Sequence, residues 1–389
     1  MQRQTCKTPR GGRQRHLRRG GTIVYVTIFV SAMFGFLALS VDMGRLYVAK
    51  AELQRAADAA AHAAAWQLLN EDRLKPYVLD DILDAARRQA ADMAAANDVL
   101  DAAPIVDSLQ DVVIGRLDDL SDLEEPMSFG DEERWNAVSV TVQRNAERGG
   151  SILLYFASIL GFSEKDLGAQ ATAAFEDGID GFEVDDRSGN AELLPFAIKR
   201  DAWSDLLLSS VDEYTCDPET GEVSLGPDGI AELNIFPGDG EWQLPPGNFG
   251  TVDIGAWDNS TADVARQILE GVSAEDLAYF GGRLELGEDG YVDLNGDTGI
   301  SAGVKDELAA VKGRARAIPI FSEAWNPGDN ATFRIVGFVG IRIMHVKLTG
   351  CPHCKEVIVQ PAYVVDDSAL AGPSSGTSHF IYRPVQLVR

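Results

Sequence analysis

Residues 22–41 read TIVYVTIFVSAMFGFLALSV, and this stretch determines how the rest of the chain is placed. None of its twenty residues is charged. A helix of that length rises roughly 30 Å, which matches the hydrocarbon thickness of a bilayer. A cleaved signal peptide is the alternative, but its apolar region is normally only about 7–15 residues long. The stretch therefore predicts a single transmembrane helix.

Charge differs in sign on the two sides of this segment. Residues 1–21 contain seven Arg or Lys residues and no acid, whereas the whole chain has 34 basic and 60 acidic residues and a net charge of −26. An excess of Arg and Lys marks the cytoplasmic side of a membrane helix. We therefore expect a basic cytoplasmic tail at 1–21 and an acidic body outside the cytoplasm. Such a body repels phosphates, so nucleic acid is not an expected partner.

The helical pattern continues past the apolar segment as VDMGRLYVAKAELQRAADAAAHAAA at 41–65. Apolar residues recur there at spacings of three and four, which forms one stripe along a helix. Small side chains in such a stripe let another helix approach closely. We predict a helix-packing face for other membrane-anchored subunits, and the alternative is a helix packed on its own domain. The predicted face consists of Leu46, Leu53, Ala57, Ala60, Ala64 and Leu68.

The sequence from Arg19-Gly20-Gly21-Thr22 to the alanine-rich repeat resembles the N-terminal segment of TadG-like proteins of the Tad (Flp) pilus system, over about residues 18–69. In that family a membrane helix runs into V-D-x-G-R-L and then L-Q-x-A-A-D-A-A-A. The resemblance implies a membrane-anchored structural or assembly component of a Tad (Flp) pilus in a bacterial inner (plasma) membrane. It also implies other pilus-assembly or pilin-like membrane proteins as partners, no cofactor and no enzymatic activity.

The fold class expected for the whole chain is α+β. Residues 42–176 are predicted to form a pilin-like α/β module, and residues 177–190 (DGIDGFEVDDRSGN) are rich in Gly and Asp, which is typical of a linker. The elements expected in the first module are helices at 80–97 and 151–160 and strands at 111–117, 137–144 and 167–175.

Residues 191–389 predict a loop-rich second α+β module. Its last four strands have few helices between them, which favours an antiparallel sheet. The residues of this module do not indicate its role, so a membrane-tethered binding or adhesion protein and an enzyme both stay open as alternatives. The expected helices are 260–270, 273–279 and 304–311, and the expected strands are 315–322, 331–348, 356–365 and 379–388.

Cys351-Pro352-His353-Cys354 is the motif that most suggests chemistry. Thiol oxidants need the first Cys at a helix N-terminus, whereas this tetrad lies between two predicted strands, at a hairpin tip. A zinc site would need four ligands, with Cys216 and His353 completing the set. We expect instead a structural disulfide, either Cys351–Cys354 or one of these with Cys216.

Asp293, Asn295 and Asp297 alternate as the oxygen ligands of a calcium loop do. The full loop would need Gly at 298 and Glu at 304, but Thr298 and Val304 stand there. The three residues are thus an incomplete calcium motif, and an Asp/Asn/Gly turn is the alternative. The sequence also lacks H-E-x-x-H, a Walker loop and G-x-G-x-x-G, which favours a non-enzymatic protein.

Overall fold

A computed structural model describes residues 21–185, 189–207, 211–218, 220–236, 249–255, 260–326, 331–351, 354–372 and 378–389. The basic tail at 1–20, Pro352 and His353 lie outside the described residues. The fold is α+β, as predicted.

The predicted continuous helix is confirmed, because α1 runs without a break from the apolar segment through the alanine-rich repeat. Short 3₁₀ helices supplement the α-helices at Glu71–Leu74, Glu132–Arg134, Ala157–Leu160, Ala278–Phe280 and Ala302–Val304. The α-helices are α1 (Gly21–Gln67), α2 (Leu79–Ala95), α3 (Arg200–Leu207), α4 (Thr261–Glu270), α5 (Ala274–Leu277) and α6 (Lys305–Ala310).

Most strands are short, and the two longest lie in the C-terminal half. The strands are β1 (Val112–Gly115), β2 (Ala137–Arg144), β3 (Ile152–Leu153), β4 (Glu164–Lys165), β5 (Leu167–Ala174), β6 (Ile179–Glu183), β7 (Phe196–Lys199), β8 (Tyr214–Cys216), β9 (Val223–Leu225), β10 (Leu233–Asn234), β11 (Phe249–Val252), β12 (Arg283–Glu285), β13 (Val292–Asp297), β14 (Ala315–Trp325), β15 (Ala331–Lys347), β16 (Glu356–Pro361), β17 (Val364–Val365), β18 (Ala369–Ala371), β19 (Ser378–His379), β20 (Ile381–Tyr382) and β21 (Gln386–Leu387).

The first region is a sheet of order β1-β2-β5-β21 covered by α1 and α2. All pairings in this sheet are antiparallel. α1 and α2 pack against each other, and α1 also packs on β2 and β5. Alanines at spacings of four on α2 (Ala86, Ala90 and Ala94) are fully buried, so the two helices meet through small side chains and can approach closely.

The second region contains a larger sheet of order β10-β16-β15-β13-β11-β7-β14. Because β14 also pairs with β15, strands β15, β13, β11, β7 and β14 close into a ring. The predicted antiparallel sheet is confirmed for most pairs, but β7–β14 and β15–β19 are parallel. Gly296 permits the close approach of β13 to β11, since a Cβ there would lie 2.1 Å from the carbonyl oxygen of Thr251.

Several predicted elements differ in the structure. The strand predicted at 356–365 is two strands, β16 and β17. Residues 179–183 of the predicted linker form β6, because Ile179 and Phe182 are buried in the core of the second region. The helix predicted at 151–160 is β3 followed by a 3₁₀ helix, although Gly161 ends it in the left-handed conformation as expected for a C-terminal glycine. The last predicted strand is three short ones, and β21 returns to pair with β5.

Buried ion pairs connect the two regions. Arg342 on β15 donates to both carboxylate oxygens of Glu71, at 2.9 and 2.8 Å. Arg116 donates from two different nitrogens to the two carboxylate oxygens of Asp177, at 2.7 and 3.2 Å, whereas both bonds of Arg342 come from one nitrogen. The paired geometry at Asp177 fixes orientation as well as distance in the segment between β5 and β6, while the Arg342–Glu71 pair joins the second region to the segment after α1.

Candidate functional site at the membrane exit

The N-terminal part of α1 is apolar and exposed over its whole length. Its most apolar window has a mean hydropathy of 2.2, and no residue of that window is buried inside the protein. Ile23, Phe29 and Phe36 are among its exposed side chains. A helix of this length and composition is a candidate single transmembrane span, and it continues directly into the folded part of the chain.

Asp42 is the first residue after the apolar stretch, and it is only 3% exposed. Its carboxylate accepts three backbone hydrogen bonds, from the N–H groups of Tyr155, Phe156 and Ala157 at 2.8, 3.0 and 2.7 Å. Each donor would otherwise be an unsatisfied amide at the start of a 3₁₀ helix. One side chain therefore ties the loop between β3 and β4 to the point where the apolar helix segment ends.

Arg45 lies one turn further along α1 and holds the same loop. Its guanidinium donates to the hydroxyl of Tyr155 at 3.1 Å and lies 4.9 Å from the centre of the Tyr155 ring. The second contact is a cation–π interaction. Residues three apart lie on the same side of a helix, so Asp42 and Arg45 together form one clamp on the loop.

The alanine stripe lies beyond this clamp and faces inward. Ala57, Ala60 and Ala64 are fully buried, as are Leu53 and Leu68, and Leu46 packs against the same core. The covering surfaces are α2 and the β2–β5 sheet of this chain. The predicted contact of these residues with other membrane-anchored subunits is therefore wrong, because their own domain occupies the stripe.

Comparisons with known proteins agree with this architecture. A family model described as putative Flp pilus-assembly TadE/G-like matches residues 20–67, and one described as putative Tad-like Flp pilus-assembly matches residues 63–173. Together the two matches cover residues 20–173, and over this range the chain is similar to Tad-type Flp pilus-assembly proteins. The resemblance predicted over residues 18–69 is confirmed and extends to 173. No curated protein and no solved structure matches the chain.

Within this Tad-like region, the clamp gives a structural reason for the motif V-D-x-G-R-L at 41–46. Asp42 and Arg45 are the two charged positions of the motif, and both contact the loop that begins the 3₁₀ helix Ala157–Leu160. Sequence reasoning missed this pairing, because the partners are 113 residues apart. The available signal was an acid placed directly after an apolar span, together with the uncharged stretch LLYFASILGF at 153–162.

Cys351 and Cys354 form a disulfide in the connection between β15 and β16, beyond the Tad-like region. The hairpin expected at this position is confirmed. Of the pairings left open by the sequence, the structure has the local one, and Cys216 in β8 is free. Burial raises the pKa of the Cys216 thiol, so this residue stays in its unreactive protonated form over a wider pH range.

The incomplete calcium motif is part of a strand. Asp293, Asn295 and Asp297 lie in β13, which is paired on both sides by β11 and β15. The carboxylate of Asp293 accepts from Arg334 at 3.1 Å. Among the described residues, no group of three or more His, Cys, Asp or Glu side chains could hold a metal ion. These three residues therefore do not form the loop that the calcium motif requires, because they lie in a strand that is paired on both sides.

A cleft of about 1260 Å³ opens beside α4 and α5 in the second region. Arg266 lies in it and pairs with Asp263 at 2.8 Å and Asp276 at 2.6 Å. Asp276 also completes the capping box of α5 with Ser273. Through Arg266, these charged groups of the cleft join α4 to the start of α5.

Proposed function

We propose that this protein is a membrane-anchored structural or assembly component of a Tad (Flp) type pilus. One observation carries the proposal: α1 leads without interruption from an exposed apolar segment into the core of a region that matches the family. A helix built in this way transmits the position of the membrane to the folded domain. The role is structural, which agrees with the family match, and no catalytic step is part of the proposal.

The proposed topology has the basic tail in the cytoplasm and residues 42–389 outside it, with the helix in the bacterial inner membrane. The arginine excess before residue 22 supports this orientation. A reporter enzyme that is active only outside the cytoplasm, joined by a flexible linker after Arg389, tests it. Activity is expected. A silent reporter, together with activity of a cytoplasm-specific reporter at the same site, would overturn the orientation.

The proposed partners are other pilus-assembly or pilin-like membrane proteins, which contact the exposed side of α1. With the alanine stripe occupied, the large apolar residues left exposed on α1 beyond residue 41 are Met43, Tyr47 and Val48, together with Trp66 near its C-terminal end; Tyr47 and Val48 are the most exposed of them. Helix association inside the bilayer depends on close packing, and these two residues continue the exposed side past the membrane surface.

Deletion of the gene in its native host tests the pilus role directly. Loss of surface pili is expected, with recovery when the full chain is supplied again. A chain in which 22–41 is replaced by an unrelated membrane helix separates mere anchoring from recognition by partners within the membrane. Normal piliation in the deletion strain would reject the proposal. Normal piliation combined with lost attachment to surfaces would instead favour the alternative, a membrane-tethered binding or adhesion protein.

A further inference from the structure

The loop LLYFASILGF at 153–162 exposes more apolar surface than its place in a folded domain explains. It contains no charged residue. Ile159 is 82% exposed and Leu160 is 79% exposed, and Leu153, Tyr155, Phe156 and Phe162 are exposed as well. Contiguous apolar patches of this kind on a protein surface usually mark an interaction site. We refer to residues 153–162 as the apolar loop.

The apolar loop is held at the level where the candidate span ends. Asp42, which follows the span directly, accepts the three amide hydrogen bonds at 155–157. Arg45 adds the hydroxyl and ring contacts to Tyr155. The start of the 3₁₀ helix therefore lies within hydrogen-bond distance of the first residue beyond the apolar segment, and the loop cannot lie far from the membrane surface.

We propose that the apolar loop inserts into the outer interfacial layer of the bilayer that α1 crosses, as a second lipid contact of the same chain. Tyr is typical of the membrane interface, because its ring is apolar and its hydroxyl is polar, and the loop carries Tyr155 beside the purely apolar Phe156 and Phe162. Interfacial segments bury an apolar face about 5–10 Å into the boundary between headgroups and acyl chains. This inference rests on the membrane span of the proposed function but not on the pilus.

Lipid fits the apolar loop better than a protein partner does, for two reasons. First, the loop is held beside the end of the candidate span, so the outer layer of the bilayer is the nearest apolar surrounding available to it. Second, the loop carries no charge that would select a particular protein surface. A two-point attachment by span and loop would also restrict the tilt of the folded domain relative to the membrane.

A site-directed spin label on the full chain tests the proposal. Cys6 and Cys216 are replaced by Ser, Cys351–Cys354 stays oxidised, and Ile159→Cys carries the nitroxide. The protein is reconstituted in vesicles of phosphatidylethanolamine and phosphatidylglycerol at high dilution. Collision of the label with oxygen, which enriches in lipid, is compared with collision with a water-soluble nickel chelate.

Leu37→Cys in the span is the lipid-facing reference. Leu225→Cys in β9 is the matched reference for water, because Leu225 is 79% exposed, close to the exposure of Ile159. β9 lies far from the membrane, near the C-terminal end of α1. Gly313 lies beside Val223 of β9 and accepts a hydrogen bond from Arg342. Arg342 in turn binds Glu71, just beyond the end of α1. α1 rises roughly 40 Å between the end of its apolar segment and its C-terminal end.

A label at 159 is expected to favour oxygen over the nickel chelate, as the label at 37 does, while the label at 225 shows the reverse. Leu160→Cys repeats the measurement if the first variant folds poorly. Preference for the nickel chelate at 159 would overturn the inference. Shielding from both reagents would also overturn it, since a second copy would then cover the loop. Nickel preference at 37 would reject the span itself, and with it the anchoring in the proposed function.

Discussion

Replacing Ala60 by Leu should destabilise the folded domain. Ala60 is fully buried on α1, and its neighbours in the same core include further alanines on α1 and on α2. The replacement adds three carbon atoms where the spacing of the packed elements is set by methyl groups. Burying three more carbon atoms would stabilise the folded state by roughly 2 kcal/mol if there were room for them. There is no such room unless the helices and strands packed around Ala60 move apart.

Overpacking of a well-filled core typically costs about 1–3 kcal/mol. For a domain of roughly 150–250 residues, each kcal/mol lowers the melting temperature by about 2–4 °C. The variant should therefore melt about 2–12 °C below the natural protein. Ala51→Leu is the matched control, because Ala51 is an exposed alanine on the same helix and surface substitutions usually stay within about 0.5 kcal/mol.

The assay is thermal unfolding of the full chain in detergent, followed by tertiary fluorescence, with limited proteolysis as a second readout. Both variants should insert in membranes equally. The reasoning fails if Ala60→Leu melts like the natural protein and like Ala51→Leu while pili disappear. That combination would mean that the stripe faces another subunit, as the sequence pattern alone had indicated.

Three further predictions concern buried charges. Asp42→Asn should speed hydrogen exchange at the amides of residues 155–157, because the Asn side chain offers one acceptor oxygen to these donors in place of two. Asp84→Asn on α2 is the control, and it should leave exchange at these amides unchanged. Glu71→Gln should lower the free energy of unfolding by about 3–5 kcal/mol in chemical denaturation, since it leaves the guanidinium of Arg342 buried without its countercharge. Burial raises the pKa of Glu232 to about 7, above its unfolded value, so the native state binds this proton more tightly. The contribution of Glu232 to the stability of the fold should therefore be greatest at low pH and should be lost as the pH rises through about 7. Glu232→Gln should make the melting temperature less dependent on pH between about pH 5 and 8. An unchanged pH profile in that variant would contradict the assignment.

Much of the secondary structure could be predicted from local pattern. The helix over the twenty uncharged residues, its continuation to Gln67, and the strand Ala137–Arg144 all agree with the structure. The hairpin around Cys351 and Cys354 agrees as well. These elements are set by periodicity, by charge and by turn residues close in sequence, so a short window contains the information that determines them.

The alanine stripe shows what the sequence pattern leaves undetermined. A period of three and four residues predicts that one side of the helix is covered, and that part is correct. It does not say what covers it, because a neighbouring subunit and the chain's own α2 both prefer small side chains at a close contact. Ala57 and Ala64 are buried by the chain's own fold, and that choice depends on residues that follow them.

By itself, the sequence determined that this chain has an apolar segment long enough to span a membrane, a basic stretch before it and an acidic remainder after it, and a resemblance to Tad-type proteins in its first part. Tertiary structure alone decided that Asp42 clamps a loop 113 residues away, that β6 belongs to a core and not to a linker, and that β21 returns to β5. The physical reason is the same in each case. Hydrogen bonds and burial between distant segments depend on where the chain folds back, and no local window of the sequence contains both partners.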